Sequence, residues 1–432
     1  MPLELFFPFL ASTFLLLVSF WLSKKKLGFY LLTSAFIYLS TFMWIPLNWL
    51  AGIALKQDMF PEGIVINWLW GAVAFYGIYV FISGLLVQAV KPTVFPIYDG
   101  NASGSLSFSC LSLFSLSILG YVALNGFSFS AGNYGHRLAS NAGNGIFIIF
   151  FFLFIPVAYV FMLRMRNSIG LLLSISFCLF CGMLVYFTLG GSRNILAAGV
   201  VGVLVISQRL EVISMKSIML MAVVLILLVN YLAFVRYGLS LDDDILALGF
   251  RFLIDSLSPY DSFNNIVSYF ESSDEFFKGF EFIPAQFNPL IPRFLWPDKP
   301  VVPVTNAYFY TESILGITKG SYIISPTLLG GLYIMGGGVA VFIGSLCLSF
   351  FIFFLEKGLF SKSPFWVLFS YTLLPFTFFM VRESIELFIS KSIMIFCTFL
   401  AAWLCAVVIN NMLHKINESR ALNDTRIRPA RG

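Results

Sequence analysis

Apolar windows of about helix length recur along most of the chain, at residues 3–23, 30–53, 66–88, 106–125, 145–163, 168–189, 193–207, 217–235, 338–355, 364–381 and 389–410. A hydrocarbon core of about 30 Å takes about 20 apolar residues of helix to cross, and inside lipid the backbone must satisfy its own hydrogen bonds. The pattern therefore specifies an all-α polytopic membrane protein of about eleven transmembrane helices. Composition points the same way: 59% of the 432 residues are hydrophobic and 11% charged, more apolar surface than a water-soluble fold of this size can hide. The first window is followed by Lys24, Lys25 and Lys26. A cleaved signal peptide carries its charge before the apolar core and a small-residue cleavage site after it, so the window reads as an uncleaved helix.

Lys and Arg set the orientation, because basic connections stay on the cytoplasmic side. When eleven spans alternate, 15 of the 26 basic residues fall on one side: Lys24 to Lys26, Lys91, Arg164, Arg166, Arg209, Lys216, Lys357, Lys362 and the tail from Lys415 to Arg431. The amino terminus then lies outside and the carboxyl terminus inside. The organisation that follows is residues 1–235 as spans one to eight, 236–320 as a large outer loop, 321–410 as spans nine to eleven, and 411–432 as a basic cytoplasmic tail. A shorter outer connection runs from 126 to 144.

Several chemistries drop out. The net charge of +5 comes from basic residues scattered between apolar runs, whereas a nucleic-acid surface concentrates them on one face. All six cysteines lie in apolar segments, and Cys178 and Cys181 read as two small apolar residues one turn apart, without the further ligands or the strand-to-helix context that zinc or redox chemistry needs. There is no P-loop, HExxH, GxSxG or His/Cys/carboxylate cluster, so no cofactor is implied.

The long loop holds Pro259, Pro284, Pro289, Pro292, Pro297, Pro300 and Pro303 among aromatic residues, the composition of a folded cap lying on the membrane. Leu246, Gly249, Phe250, Leu253, Ile254 and Leu257 recur at helical spacing opposite Asp244, Arg251 and Asp255, which predicts an amphipathic interfacial helix. Asp261 is placed to cap a second helix carrying Phe263, Ile266, Val267 and Phe270.

Six arginines, Arg137, Arg193, Arg236, Arg251, Arg293 and Arg382, break the inside bias. Arg193 opens span seven, Arg236 ends span eight and Arg382 follows span ten, so three helices bring guanidinium groups toward one membrane depth. Span seven, Asn194 to Ser207, is about 21 Å long at 1.5 Å per residue, short for the core, which holds Arg193 below the outer surface. Gly190 and Gly191 allow a tight turn, Ser192 can cap the helix, and its free amides would join Arg193 in holding a phosphate. The bland alternative is that each arginine snorkels to headgroups or pairs with a local acid. Asp255, Asp261, Glu312, Glu383 and Glu386 are the nearby carboxylates that could serve as a general base, although Asp255 can simply pair with Arg251 and Glu383 with Arg382 or a neighbour. Tyr237, Tyr260, Trp296, Tyr308 and Tyr310 offer faces for sugar stacking. His136 is the one outward histidine.

The segments GGSRNI at 190–195, VRYG at 235–238, DSLSPYD at 255–261, IPRFLWPDKP at 291–300, AYFYTE at 307–312, ISPTLLGG at 324–331 and RES at 382–384 together resemble the enterobacterial common antigen polymerase, a Wzy-type family. The resemblance implies an inner-membrane glycosyltransferase that joins undecaprenyl-pyrophosphate-linked oligosaccharide repeat units on the periplasmic side, for common antigen or an O antigen. It places Arg193, Arg236 and Arg382 on motif arginines, adds Lys299 as a basic residue of the WPxxP segment, and accommodates Asp255 and Glu383 as catalytic carboxylates. Arg293 departs from the family pattern. Implied partners are a chain-length-regulating co-polymerase of the Wzz type and a Wzx-type flippase. Two rival readings share the substrate: a flippase, which would carry charges along a path through both leaflets, and an O-antigen ligase, which would deliver the same donor to lipid A core.

Overall fold

The computed structural model describes residues 2–24, 26–56, 58–60, 64, 66–90, 100–126, 145–189, 193–237, 249, 253–254, 257–273, 275–286, 296, 298, 305–317 and 323–427, with backbone alone at 100–102, 145–146, 193–194, 229–230, 232–237, 260 and 417–427. Among these residues the chain is helical, with no strand. The helices are α1 (Leu3–Leu22), α2 (Phe29–Thr41), α3 (Trp44–Leu55), α4 (Ile66–Gln88), α5 (Gly100–Asn125), α6 (Ile149–Met165), α7 (Ser168–Thr188), α8 (Arg193–Arg209), α9 (Met215–Tyr237), α10 (Tyr260–Ser272), α11 (Asn306–Phe309, continued by a π turn over Tyr310–Ile314), α12 (Thr327–Leu359), α13 (Pro364–Arg382) and α14 (Ile385–Ile427).

Every apolar window falls on helix. Among the described residues seven helices, α1, α4, α5, α7, α12, α13 and α14, are long and apolar enough to cross a membrane, and α2 with α3 form an eighth unit bent by 44°. The remaining windows fall on α6 and α8, which are shorter apolar helices, and on α9, which runs 23 residues. α8 runs 17 residues, about 25 Å, somewhat longer than its apolar stretch suggests.

The packing is that of a protein solvated by lipid. On α1 the buried face carries Ser12 and Ser19 beside Leu5 and Leu15, while Leu10, Phe14, Leu17 and Trp21 point outward. Small residues let helices approach closely in lipid, and large apolar ones lose nothing by facing it. Cys110, Cys178 and Cys181 are buried, the other three cysteines exposed, and all six are unpaired.

At one end of the bundle an ion pair is buried. Arg209, the last residue of α8, donates through Nη2 to Glu356 Oε1 of α12 at 2.8 Å, with both side chains 4% exposed. Glu356 Oε2 also accepts from the Tyr30 backbone N–H at 3.2 Å. Arg209 Nε donates to the Leu27 carbonyl, and its guanidinium lies 4.6 Å from the Phe360 ring centroid. Nothing in the sequence pattern marks Glu356, because it directly follows the apolar window 338–355 and precedes Lys357, where an acid reads as part of a solvated connection.

Two helical units are broken toward the opposite end, and two helices meet there in a tight turn. α2 stops at Thr41 and α3 restarts at Trp44. α12 has non-helical backbone at Gly336 and Gly337, so it is two helices, Thr327 to Met335 and Gly338 to Leu359. The expected span from 338 to 355 corresponds to the second of these. The first is buried at every residue from Thr327 to Met335, an arrangement the apolar window alone does not distinguish from a longer straight span. The turn joins α13 to α14 at Glu383 and Ser384, and the two helices pack antiparallel, with Phe365 against Phe399 and Trp403 at their far ends.

Candidate functional site

Broken helices expose backbone groups that must find partners away from water. Here each break is met by a polar group from the long connection between α9 and α12. At the first, the Ser258 hydroxyl donates to the Ser40 carbonyl at 3.0 Å and accepts from the Trp44 N–H at 3.1 Å. At the second, the Lys278 and Gly279 amides donate to the Ile334 and Met335 carbonyls, each at 3.0 Å. At the turn between α13 and α14, Glu386 Oε1 accepts from the Asn306 N–H at 3.1 Å and Oε2 from Asn306 Nδ2 at 3.3 Å. The same Nδ2 lies 3.4 Å from the Gly331 carbonyl of α12. Asn306 and Glu386 are fully buried, so this node locks α11, the start of α14 and the first half of α12 together.

The α13–α14 turn carries two of the candidate residues, Arg382 and Glu383. Arg382 ends α13, and Glu383 follows it with its N–H donating to the Phe379 carbonyl at 2.8 Å. Glu383 Oε2 pairs with Lys391 Nζ of α14 at 3.2 Å, and that ammonium also sits 3.9 Å from the Phe379 ring centroid. Both side chains are partly exposed, so the pair is reachable. Glu386, one turn beyond, is tied up by Asn306 and serves as an anchor.

Around this node the loop is ordered by aromatic contacts. Phe270, Phe277 and Tyr333 pack mutually, Phe309 contacts Phe270, and Trp68 meets Tyr333 edge-on at 4.8 Å. Tyr310 is buried, with Asn265 Nδ2 donating to its hydroxyl at 3.4 Å; burial pushes its pKa above the ordinary phenol value. Its ring is therefore core and not a stacking face, a correction to the sequence reading. Tyr308 keeps part of its surface exposed, and its N–H is capped by the Thr305 hydroxyl at 3.3 Å. Glu312 lies in the π turn with Oε1 buried and no hydrogen-bond partner among the described residues. Thr327 holds φ at +67°, a strained conformation for a β-branched residue, and its hydroxyl accepts from the Gly330 N–H at 3.3 Å.

The other expected residues are placed as follows. Arg193 opens α8, and Arg236 and Tyr237 close α9, all described by backbone only. Tyr371 lies beside Arg209. From that level α13 climbs about 16 Å to Arg382 and α8 about 24 Å to Arg193, at 1.5 Å per residue. Both therefore lie toward the end of the bundle remote from Glu356, and α9, joined to α8 by the short connection at 210–214, packs against it and ends with Arg236 and Tyr237. Asp261 does not cap its helix: α10 begins at Tyr260 with Pro259 at the cap position, and Asp261 occupies the first turn. The proline ring fixes the entry and leaves the carboxylate to act on the helix dipole. The apolar face expected there is present, with Phe263, Ile266 and Val267 buried. Trp296 is partly exposed. Ser192, Asp255 and Lys299 lie outside the described residues, as do His136 and most of the amphipathic segment from Leu246 to Leu257.

Ser258, Asn306 and Lys391 are the residues that sequence reasoning passed over. Ser258 sits inside the DSLSPYD segment and Asn306 immediately before AYFYTE. Lys391 carried its own signal, a lysine within an apolar span, which lipid tolerates only with a partner.

A family model described as WzyE protein, O-antigen assembly polymerase, matches residues 3–428. The chain belongs to the WzyE family. As a WzyE-family O-antigen assembly polymerase it is membrane-embedded, and its many apolar helices suit that setting. No solved structure matches the chain.

Proposed function

We propose that this WzyE-family protein is a glycosyltransferase of the bacterial inner membrane, with eleven spans and the loop end of the bundle facing the periplasm. It joins oligosaccharide repeat units carried on undecaprenyl pyrophosphate. The observation that carries the site assignment is the turn after Arg382, where a helix end bearing arginine, the accessible Glu383–Lys391 pair and the loop segment from Thr305 to Ile314 meet. In this reading the ends of α8 and α9 that bear Arg193 and Arg236 face the same side.

In this reading a hydroxyl of one repeat unit attacks the anomeric carbon of the growing chain. The bond from that carbon to the pyrophosphate oxygen breaks, the hydroxyl proton passes to a carboxylate, and undecaprenyl pyrophosphate departs. Arg193, Arg236 and Arg382 hold the pyrophosphate, with Lys299 and the helix start at Ser192 assisting. Fixed positive groups in a dry site stabilise charge that develops on a leaving group, and guanidinium donates two parallel bonds to phosphate. Glu383 or Asp255 takes the proton. Tyr237, Tyr260, Asp261, Trp296, Tyr308 and Glu312 contact the sugars. The donor arrives with its own activated leaving group, so neither nucleotide nor metal is required. A Wzx-type flippase would supply the substrate and a Wzz-type co-polymerase would set chain length.

The test is gel analysis of surface polysaccharide in a deletion strain complemented with wild type, Arg193→Ala, Arg382→Ala or Glu383→Gln, with membrane expression verified. Loss of the ladder to a single-repeat product supports the assignment. A normal ladder from an arginine variant removes that arginine from the site. Single units trapped on the cytoplasmic side in the deletion strain indicate a flippase, and polymer that forms but fails to reach lipid A core indicates a ligase.

A further inference from the structure

The turn that closes the break in α12 presents aromatic side chains outward. In residues 275–281 Phe276 is 89% exposed and Phe280 58%, while Phe277 between them contacts Tyr333 and Phe270 and lies against Gly337. The turn is fixed in height by the Lys278 and Gly279 amides on the Ile334 and Met335 carbonyls. Of its three charges, Lys278 and Glu275 pair, with Nζ 2.9 Å from Oε2, and Glu281 closes the segment exposed, where the headgroup layer can solvate it.

Three observations define what surrounds it. The helix continuing from Gly338 to Leu359 is about 33 Å long at 1.5 Å per residue, a match to a hydrocarbon core of about 30 Å, so the break lies at the boundary of that core. Immediately beyond it Val339, Phe342 and Ile343 face outward, and the exposed turn extends this apolar face. Trp68, near the start of α4, packs against Gly338, so Trp70 on the same turn, 46% exposed, marks the level with an indole of the kind that collects at membrane interfaces.

We propose that residues 275–281 are a membrane-inserted turn, with Phe276 and Phe280 seated in the boundary between lipid headgroups and acyl chains beside α12. The loop is then held by lipid on one side and by the broken helix on the other, and Phe277 links this contact to the aromatic cluster that supports α11. This placement does not depend on the reaction assigned above.

The test places the photoreactive residue p-benzoylphenylalanine at 276 or 280 in the full-length chain, reconstituted in liposomes of phosphatidylethanolamine and phosphatidylglycerol, with the same residue at Phe342 as the lipid-facing standard. The substitution keeps an aromatic ring, and monodispersity on gel filtration checks the fold. Mass spectrometry after irradiation should find phospholipid adducts at 276 and 280 in yields comparable to that at 342. Adducts only at 342 would place the turn in water, and adducts of 276 to protein alone would make it a protein-docking surface; either result overturns the proposal.

Discussion

Replacing Glu356 with Gln tests how the bundle is closed at the end remote from the site. The wild-type carboxylate receives Arg209 Nη2 at 2.8 Å and the Tyr30 N–H at 3.2 Å, and neither member of the pair is more than 4% exposed. Gln preserves shape and an acceptor but leaves the guanidinium buried without a counter-charge, a change that costs about 3–5 kcal/mol when one partner of a buried pair is removed. The Leu27 carbonyl and the Phe360 ring remain as partners for Arg209, which favours the lower half of that range. The double variant Arg209→Met, Glu356→Leu removes both charges and should recover most of the loss, since apolar replacement of a buried pair is often neutral. Gly28→Ala should mimic the single variant, because its Cβ would overlap the Glu356 carboxylate. The assay is equilibrium unfolding of the purified protein in mixed micelles titrated with SDS, read as a double-mutant cycle. A loss below about 1 kcal/mol for Glu356→Gln, the value of a solvated pair, or a double variant no better than the single, would refute the reasoning.

Asn306→Ala removes the amide donor to Glu386 Oε2 and Gly331 and should cost about 1–3 kcal/mol, measured by the same titration. It should also shorten the polysaccharide ladder by freeing α11. Ser258→Ala leaves the buried Trp44 N–H without its acceptor; a loss of about 1–3 kcal/mol is expected, with protease cleavage of the loop rising alongside. Gly337→Ala places a Cβ at φ +60°, ψ −152° and 2.6 Å from the Phe277 ring, a backbone region essentially reserved for glycine, and should destabilise by about 1–3 kcal/mol or more. Retention of wild-type stability by this last variant would show that the α12 break is not held in that conformation.

Helix content and placement were legible without coordinates because they depend on local properties. An apolar run of the right length has no favourable alternative to helix in lipid, so the windows at 66–88, 168–189 and 364–381 fall on α4, α7 and α13 almost residue for residue. The arginines at helix ends were equally local: Arg193 opens α8 and Arg382 ends α13 because charge stops an apolar run. What pairs with what was not local. Glu383 has Arg382 beside it in sequence, but Lys391 meets it from two turns into the next helix, a contact set by how α14 rotates on its axis. Glu386 is 80 positions from Asn306, and Arg209 is 147 from Glu356. Such distances are bridged only when the bundle assembles, since buried polar groups take whichever partner the packing brings within reach. The helix breaks follow the same rule. Gly336 and Gly337 permit a break but do not require one; the amides of Lys278 and Gly279, arriving from the loop, make it stable. The sequence alone thus determined the helices and which of their ends carry arginine, and tertiary structure decided how one loop docks onto two broken helices and the α13–α14 turn, because buried backbone groups there take partners that only the assembled bundle supplies.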